Sequence, residues 1–355
     1  MKRALTVILS VMMLAFGAVA FAACGDGNDE DADKVTLQAL TGEADVVGVL
    51  QKAESGNTEA YGVLGEPSLT NGQSEVKSAK VAIDFQEEWK ALTGYDGYPQ
   101  ASLIARSSFA QENGVFIEAI TAALKENAQW LSDAANVARF EQALEKYNEE
   151  NAGGYQTTLA SYSYTAETIE RCNLGYQSAQ EVKESVKDYV GRLNGTEPDD
   201  GFFYTPAETA AQTDGDAETV HVYLPDGTPA LAVANIFTEW VQGYDIEFHI
   251  VQAANIGSIF SSQQDADLAI MPTIGAATVY GKARNIQLVS TNVFGNLYIA
   301  SVNGTVSSLG DLKGKTVSTP SAATTVQLLQ YILEQNEIES VSYTHLRAHE
   351  TRRHL

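Results

Sequence analysis

The sequence predicts an α/β fold, and three observations lead to that prediction. Short apolar segments of strand length alternate with longer segments whose apolar residues recur at helical spacing. The alternation forms two series, which begin at Val35 and Val220. The chain has 355 residues, 44% of them hydrophobic, and this length suits about two domains. Because strands separated by helices usually pair in parallel, we expect parallel sheets with right-handed crossovers.

The first series predicts four strands and a helix-rich second part. The segments of strand length are residues 35–40, 60–64, 80–85 and 101–106. An amphipathic segment at residues 43–53 predicts a helix between the first two strands. From Phe116 to about Leu193 helical spacing dominates, and the aromatic and aliphatic stripes of this region indicate core-facing helices rather than a cofactor site.

The second series follows residues 201–218, which lack apolar periodicity and which we interpret as a linker. Its predicted strands are residues 220–224, 246–251, 268–271, 286–290, 296–302 and 316–318. Its predicted helices are residues 230–241, 256–261 and 323–335. This second α/β series completes the case for the fold class.

Composition and charge exclude several classes of function. The formal net charge of −24 repels nucleic-acid phosphates, so we expect no nucleic-acid partner. The chain has only two cysteines, Cys24 and Cys172, too few for a disulfide scaffold or a cysteine-rich metal site. An acidic surface of this kind is common in exported proteins.

The first residues have the pattern of an export signal. Lys2 and Arg3 precede an apolar stretch at residues 4–20, which predicts a signal peptide over residues 1–23. The segment ends in Ala-Ala-Cys, which resembles a bacterial lipobox with Cys24 as the lipidated residue, although Phe21 replaces the usual leucine. The alternative is an ordinary signal peptide with a coincidental cysteine. Residues 24–33 are acidic and predict a flexible tether, so we expect a lipid anchor on the outer face of the cell membrane.

Three predicted strand-to-helix turns carry candidate ligand contacts. In open parallel sheets, ligands bind outside the carboxyl ends of the strands, where helix amino-termini offer free N–H groups. Any one of these turns alone is typical of an ordinary helix start, but three in successive units indicate a binding edge. Their candidate residues are Asp226, Gly227, Thr228, Thr273, Gly275, Ser321 and Thr324.

These segments carry a resemblance to a known family. Residues 295–298 and the Leu-Gly-Asp-Leu-Lys-Gly-Lys run at 309–315 resemble the nitrate/sulfonate/taurine and thiamine-precursor type of ABC solute-binding proteins. Gly65-Glu66-Pro67, residues 82–89 and residues 98–100 resemble the same family, so the similarity covers most of residues 35–340.

The resemblance implies the two-lobed type II periplasmic-binding-protein fold, with two crossing segments and hinge closure around a solute. It implies capture of a small organic or anionic solute and delivery to ABC permease subunits, without a cofactor or a metal ion. Glu66 would contact the solute from the opposite lobe. Membrane association would depend on the lipid anchor alone.

The order of the segments departs from that family. Residues 35–200 resemble its carboxyl half and residues 219–340 its amino half, so the fold would be circularly permuted or assembled from swapped halves. Lobe one would combine residues 80–200 and 219–308, and lobe two residues 34–79 and 309–340. A tandem-gene fragment or an assembly artefact would produce the same order.

Residues 341–355 form the last segment and resemble a non-native read-through tail. They hold three of the five histidines and reverse the charge of the chain. His345 and His349 have helical metal-ligand spacing but no His-Glu-x-x-His motif, so we expect no zinc site there.

Two other classes of function compete with solute capture. An enzyme of the same fold, acting in menaquinone-precursor or thiamine-pyrimidine biosynthesis, could use Glu66 and Asp84 as a carboxylate pair. The sequence has no nucleophile elbow or phosphate loop, and we expect a protein that is not an enzyme. A cell-surface adhesin would be expected to have sequence repeats, which we do not find.

Overall fold

The computed structural model describes residues 33–207, 219–238, 241, 243–252, 255–262 and 266–344. The predicted α/β class is confirmed, since two six-stranded sheets are flanked by helices. The predicted signal peptide, Cys24 and nearly all of the tether lie outside the described residues, as do residues 208–218 and 345–355.

Sheet A has the strand order β12-β1-β11-β2-β10-β3. Strands β12, β1, β11 and β2 pair in parallel, and β10 is antiparallel to both β2 and β3. The strands are β1 (Val35–Leu40), β2 (Ala60–Gly65), β3 (Lys80–Asp84), β10 (Leu297–Val302), β11 (Thr316–Pro320) and β12 (Ser340–Thr344).

Sheet B has the strand order β5-β9-β4-β8-β6-β7. Strand β6 is parallel to β7 and β8, whereas β4 is antiparallel to β8 and β9, and β5 is antiparallel to β9. The strands are β4 (Ala101–Arg106), β5 (Leu174–Ser178), β6 (Val220–Pro225), β7 (Ile246–Val251), β8 (Leu268–Pro272) and β9 (Ile286–Val293).

The helices cover both sheets. Helix α8 shows why they form where they do, because Ser178 and Glu181 make a capping box at its start and Val182, Val186 and Tyr189 share its buried face. The helices are α1 (Glu43–Gly56), α2 (Ser68–Glu75), α3 (Phe85–Thr93), α4 (Ser107–Glu112), α5 (Gly114–Leu131), α6 (Ala134–Glu150), α7 (Ala166–Arg171), α8 (Ala179–Asn194), α9 (Thr228–Leu231), α10 (Ala234–Thr238), α11 (Ile256–Ser262), α12 (Thr273–Ala283) and α13 (Ala323–Gln335).

The expectation of parallel sheets is wrong, because both sheets are mixed. The reason is the way in which the chain passes between them. Strand β9 ends at the carboxyl edge of sheet B, and residues 294–296 lead directly to β10, whose first residue Leu297 pairs with the last residue of β2, Gly65. A strand that enters a sheet at its carboxyl edge must run antiparallel to its neighbours. Strand β4 likewise starts opposite the end of β8.

Within the described residues, the chain passes between the sheets twice, from β3 to β4 and from β9 to β10. The sequence analysis assigns residues 80–84 and 297–302 to lobe one, but the structure places both strands in sheet A. They are the strands at which the two connections leave and enter that sheet.

Two segments at predicted boundaries belong to the folded structure. Phe202 and Phe203, placed in a linker by the sequence analysis, are buried, and Phe203 bridges to Leu288 of β9. Two adjacent apolar residues at the start of a largely polar segment do not produce an apolar period, so the sequence pattern does not indicate their burial. Residues 341–344 of the predicted tail belong to β12, beside β1.

The hydrophobic core has two parts. One extends from sheet B to the face of sheet A that meets α3 and α13, and it includes Phe85, Trp89 and Leu329. The other lies between sheet A and helices α1 and α2, around Leu50 and Leu64. Among the described residues, no helix combines the length and the apolar character needed to cross a bilayer.

Candidate functional site

The carboxyl edges of the two sheets meet at one place, which we call the junction. Four residues bond across it: Glu66 and Asn296 beside sheet A, and Gln100 and Thr228 beside sheet B. The hydroxyl of Thr228 donates to the Glu66 carbonyl oxygen at 2.5 Å, and Asn296 Nδ2 donates to the same oxygen at 2.8 Å. Gln100 Nε2 donates to Asn296 Oδ1 at 2.6 Å, and Asn296 N donates to Gln100 Oε1 at 2.9 Å.

Two glycines with positive φ precede the junction residues Thr228 and Asn296. Gly227 has φ +129° and Gly295 has φ +94°, values that favour glycine. A Cβ atom on Gly295 would lie 2.8 Å from the Tyr98 ring and 2.9 Å from Gln86 Cγ. Glycine therefore suits the backbone conformation at both positions, and at Gly295 it also leaves room for Tyr98 and Gln86.

The Glu66 side chain enters a buried ion pair with Arg171, which ends α7 just before β5 of sheet B. Arg171 Nε lies 2.7 Å from Glu66 Oε1, without the angle of a hydrogen bond, and the Glu66 side chain is 0% exposed. Thr70 donates to the same carboxylate through its N–H at 3.1 Å and its hydroxyl at 3.0 Å. Burial raises the pKa of Glu66, although Thr70 and Arg171 oppose the shift. Glu66 thus bonds to Thr228 through its backbone carbonyl, while its carboxylate anchors α2 and α7.

Asp226 also lies at the junction, with its carboxylate fully engaged. It accepts hydrogen bonds from Tyr155 OH at 3.0 Å, from Thr157 Oγ1 at 2.5 Å, and from the N–H and hydroxyl of Thr158 at 2.9 Å each. These contacts hold the segment after α6 against the end of β6. Asp226 therefore supports the turn that carries Gly227 and Thr228.

Of the other predicted contacts, Thr273 meets the network through its backbone, because its N–H donates to the Gln100 carbonyl oxygen at 3.0 Å. The Thr273 hydroxyl is buried in sheet B, 2.8 Å from Ser102 Oγ, and Gly275 follows it within α12. Ser321 is exposed and Thr324 half-buried, both after β11 in sheet A. Among the described residues, no hydrogen bond joins them to Glu66, Thr228 or Asn296. The structure therefore brings Glu66, Asp226, Gly227 and Thr228 together, and Thr273 reaches their network only through its backbone bond to Gln100. It leaves Gly275, Ser321 and Thr324 outside.

Sequence reasoning missed an aromatic cluster at the junction, formed by Trp89, Tyr98 and Tyr189. The ring centroids are 6.0 Å apart for Trp89 and Tyr98, 5.4 Å for Trp89 and Tyr189, and 5.7 Å for the stacked tyrosines. Each residue is at most 1% exposed. Their polar atoms, Trp89 Nε1 and the two hydroxyls, have no hydrogen-bond partner. Buried polar atoms of this kind cost about 1–3 kcal/mol each, so three in one cluster is a costly arrangement.

Asn296 and Gln100 were missed as contacts as well. Both stand in segments that carry the family resemblance, at 295–298 and 98–100, yet neither follows a strand in a strand-to-helix turn. Each precedes an antiparallel strand, β10 and β4, and a search confined to parallel units overlooks them. The sequence feature that could have indicated Asn296 as a contact is the glycine at 295 directly before a polar residue.

The junction is acidic, and burial shapes its titration. Glu43, at the start of α1, accepts a hydrogen bond from the Gly65 N–H at 2.8 Å. Burial raises the pKa of Glu43, and the nearby carboxylates of Glu66 and Asp226 raise it further.

The free thiol of Cys172 is buried beside Arg171, and burial holds its pKa well above the ordinary value, so it stays protonated. The arrangement favours binding through hydrogen bonds and ring contacts over thiolate chemistry.

Asp84 does not join Glu66 in a carboxylate pair. Its Oδ1 accepts hydrogen bonds from the Gln86 N–H and Gln86 Nε2 at 2.8 Å each, and it caps α3. Its hydrogen-bond partners differ from those of Glu66. Asp84 is therefore a helix cap.

A scan of the chain against protein-family models and a search of the curated proteins each found no match.

Proposed function

We propose that this protein captures a small organic solute between two lobes, each built on one of the sheets. The observation that carries the proposal is the junction itself, where two carboxyl edges face each other and where, in the described part of the chain, two connections pass between the sheets. Two connections beside the junction permit a hinge motion. Opening would separate Thr228 from Glu66 and Asn296, and closure would enclose the solute.

The aromatic cluster supports an organic solute. Opening of the junction would expose the flat apolar rings of Trp89, Tyr98 and Tyr189, together with three polar atoms that lack partners in the structure. A solute with a planar apolar body and polar edges would match both properties. The carboxylates of Glu43, Glu66 and Asp226 make the junction less suited to a bare anion.

The proposed family is that of ABC-type solute-binding lipoproteins, with the type II fold. On this proposal Cys24 carries the lipid, the closed form docks on ABC permease subunits, and the protein works outside the cytoplasm at the membrane surface. The resemblance at residues 295–298 and 309–315 supports this assignment.

The permuted order of the halves is part of the proposal. Strand β1 lies beside β11 in parallel, the place for a strand that follows β11 and α13 through a crossover. The segment after α13 runs beside the start of β1, with Val35 N donating to the Glu339 carbonyl at 2.8 Å and Lys34 paired with Glu339 at 3.4 Å. Residues 34–79 and 309–340 thus share one sheet, as a permuted lobe requires.

A thermal-shift screen tests the function. The panel contains alkylsulfonates such as taurine, pyrimidine alcohols, nitrate and small carboxylates. A solute at 100 times its Kd stabilises the folded state by about 2.7 kcal/mol, which raises Tm by several degrees. We expect a pyrimidine or another planar organic compound to raise Tm most. If no compound raises Tm and the protein converts one of the pyrimidines, the proposal fails in favour of an enzyme.

A further inference from the structure

A second candidate site lies away from the junction, at the edge of sheet B. Strands β6 and β7 are parallel and pair His221 with Glu247 and Tyr223 with His249. Because paired residues of neighbouring strands lie on the same face, this register places two imidazoles and a carboxylate together. These are the two histidines that lie outside residues 341–355.

The distances between the ligand atoms suit a metal ion. His221 Nδ1 and His249 Nε2 are 3.1 Å apart, and each lies 3.6 Å from an oxygen of Glu247. A point equidistant from three atoms at such separations lies roughly 2 Å from each of them, the usual length of zinc–nitrogen and zinc–oxygen bonds. A small rotation of the carboxylate would let one oxygen serve both contacts.

The surroundings favour binding. The Tyr223 ring stacks on His249 with centroids 4.4 Å apart and an interplanar angle of 17°, which orients the imidazole. The histidine side chains are 27% exposed and that of Glu247 is 57% exposed, so an ion can reach them. Glu247 and His249 also line a groove of about 680 Å³. The net charge of −24 adds a long-range attraction for cations.

We propose that His221, Glu247 and His249 bind a divalent transition-metal ion of the zinc class. Two imidazoles and one carboxylate are ligands that Zn²⁺ accepts in tetrahedral sites, with water in the fourth position. The site would tie the edge strand β7 to β6. The alternative is a hydrogen bond between two neutral imidazoles, which binds no metal.

The experiment measures Zn²⁺ binding to the full chain, purified without a histidine tag, by competition with a chromophoric chelator. The variants His221→Gln, His249→Gln and Glu247→Gln each remove one ligand. The matched control replaces His345, His349 and His354 together by alanine, since these residues are the other imidazoles of the chain. Circular dichroism and Tm without metal verify that each variant folds. Glu247→Gln is the substitution least expected to disturb folding, because Glu247 is the most exposed of the three residues.

We expect one Zn²⁺ per chain, a Kd raised at least about tenfold in each ligand variant, and no change in the control. Co²⁺ should give the visible spectrum of a four- or five-coordinate ion in the wild type and lose it in His249→Gln. Absence of binding, or binding that the control abolishes while the three ligand variants retain it, would overturn the proposal.

Discussion

Asn296 is the residue at which the hydrogen bonds of the junction converge. Its side chain bonds to Glu66 O and to Gln100, so the Asn296→Ala change removes the acceptor of Gln100 Nε2 and one of the two donors to Glu66 O. We expect a loss of about 2 kcal/mol in the free energy of unfolding, measured by urea denaturation. Asn194→Ala is the control, because Asn194 is exposed and makes one long hydrogen bond at 3.4 Å. Equal losses in both variants would contradict the role of Asn296.

The Tyr189→Phe variant tests whether the Tyr189 hydroxyl binds the solute or the residue only packs in the core. Its buried hydroxyl has no partner, so Tyr189→Phe removes an unsatisfied polar atom and keeps the ring. We expect a Tm without solute equal to or above that of the wild type, and a smaller Tm rise with the solute that the screen identifies. An unchanged response to the solute would remove the Tyr189 hydroxyl from the proposed site. Tyr95→Phe, at an exposed position, controls for the loss of a tyrosine hydroxyl.

Glu43 makes the stability of the fold depend on pH, and the direction of this dependence follows from the burial of its carboxyl group. Because its pKa is higher in the folded than in the unfolded chain, the folded state binds the proton more tightly. Its contribution to stability is therefore fully present below the unfolded pKa and is lost as pH rises through the folded pKa. Glu43→Gln removes this titration, so the stability of the variant should fall less than that of the wild type between about pH 5 and pH 8.

Urea denaturation of both proteins at the two pH values measures this effect. The exposed Glu149→Gln change controls for the loss of one negative charge. If Glu43→Gln kept the full pH dependence of the wild type, the burial argument for Glu43 would be wrong.

The sequence predicted some of the residues that lie at the junction, and their part in binding stays a prediction. Glu66, Asp226 and Thr228 were predicted because they follow strands, and the structure places all three at the junction. Their roles could not be predicted, since Arg171 and Thr158, the partners of the two carboxylates, come from distant segments. The pairing of His221 with His249 could not be predicted either, because only the register of β6 and β7 brings the two residues together.

Among the elements, helix α8 depends on its first turn. Ser178 and Glu181 form a capping box, with Glu181 Oε2 accepting from Ser178 N at 2.8 Å. Ser178→Ala should cost about 1 kcal/mol of stability in urea denaturation, since an N-cap hydroxyl satisfies a free N–H group. Ser185→Ala, inside the same helix, should be neutral or stabilising because alanine has the higher helix propensity. A neutral Ser178→Ala would show that packing alone holds α8, which carries Tyr189 to the junction.

Predicted elements were accurate where the apolar pattern was strong. Strand β1 was predicted with its observed bounds because it alternates buried and half-buried residues, and α13 because its buried residues recur at helical spacing. Strand β5 was missed, since Leu174–Ser178 contains no fully buried residue. The predicted helix at residues 230–241 is two short helices, α9 and α10. Strand direction could not be predicted, because it depends on where the chain enters a sheet.

In the whole molecule, we propose that two lobes open and close at the junction around a solute. Thr228, Gln100 and the aromatic cluster hold the sheets together, and a hinge at the two connections would separate them. The most direct measurement places spin labels on the exposed residues Lys52 in α1 and Glu145 in α6, in a Cys24→Ser background. Cys172 remains, because it is buried and its pKa is raised. Pulsed dipolar spectroscopy then measures the distance with and without the solute that raises Tm most. We expect two distances without solute and one with it, whereas a single unchanged distance in both conditions would contradict the claim.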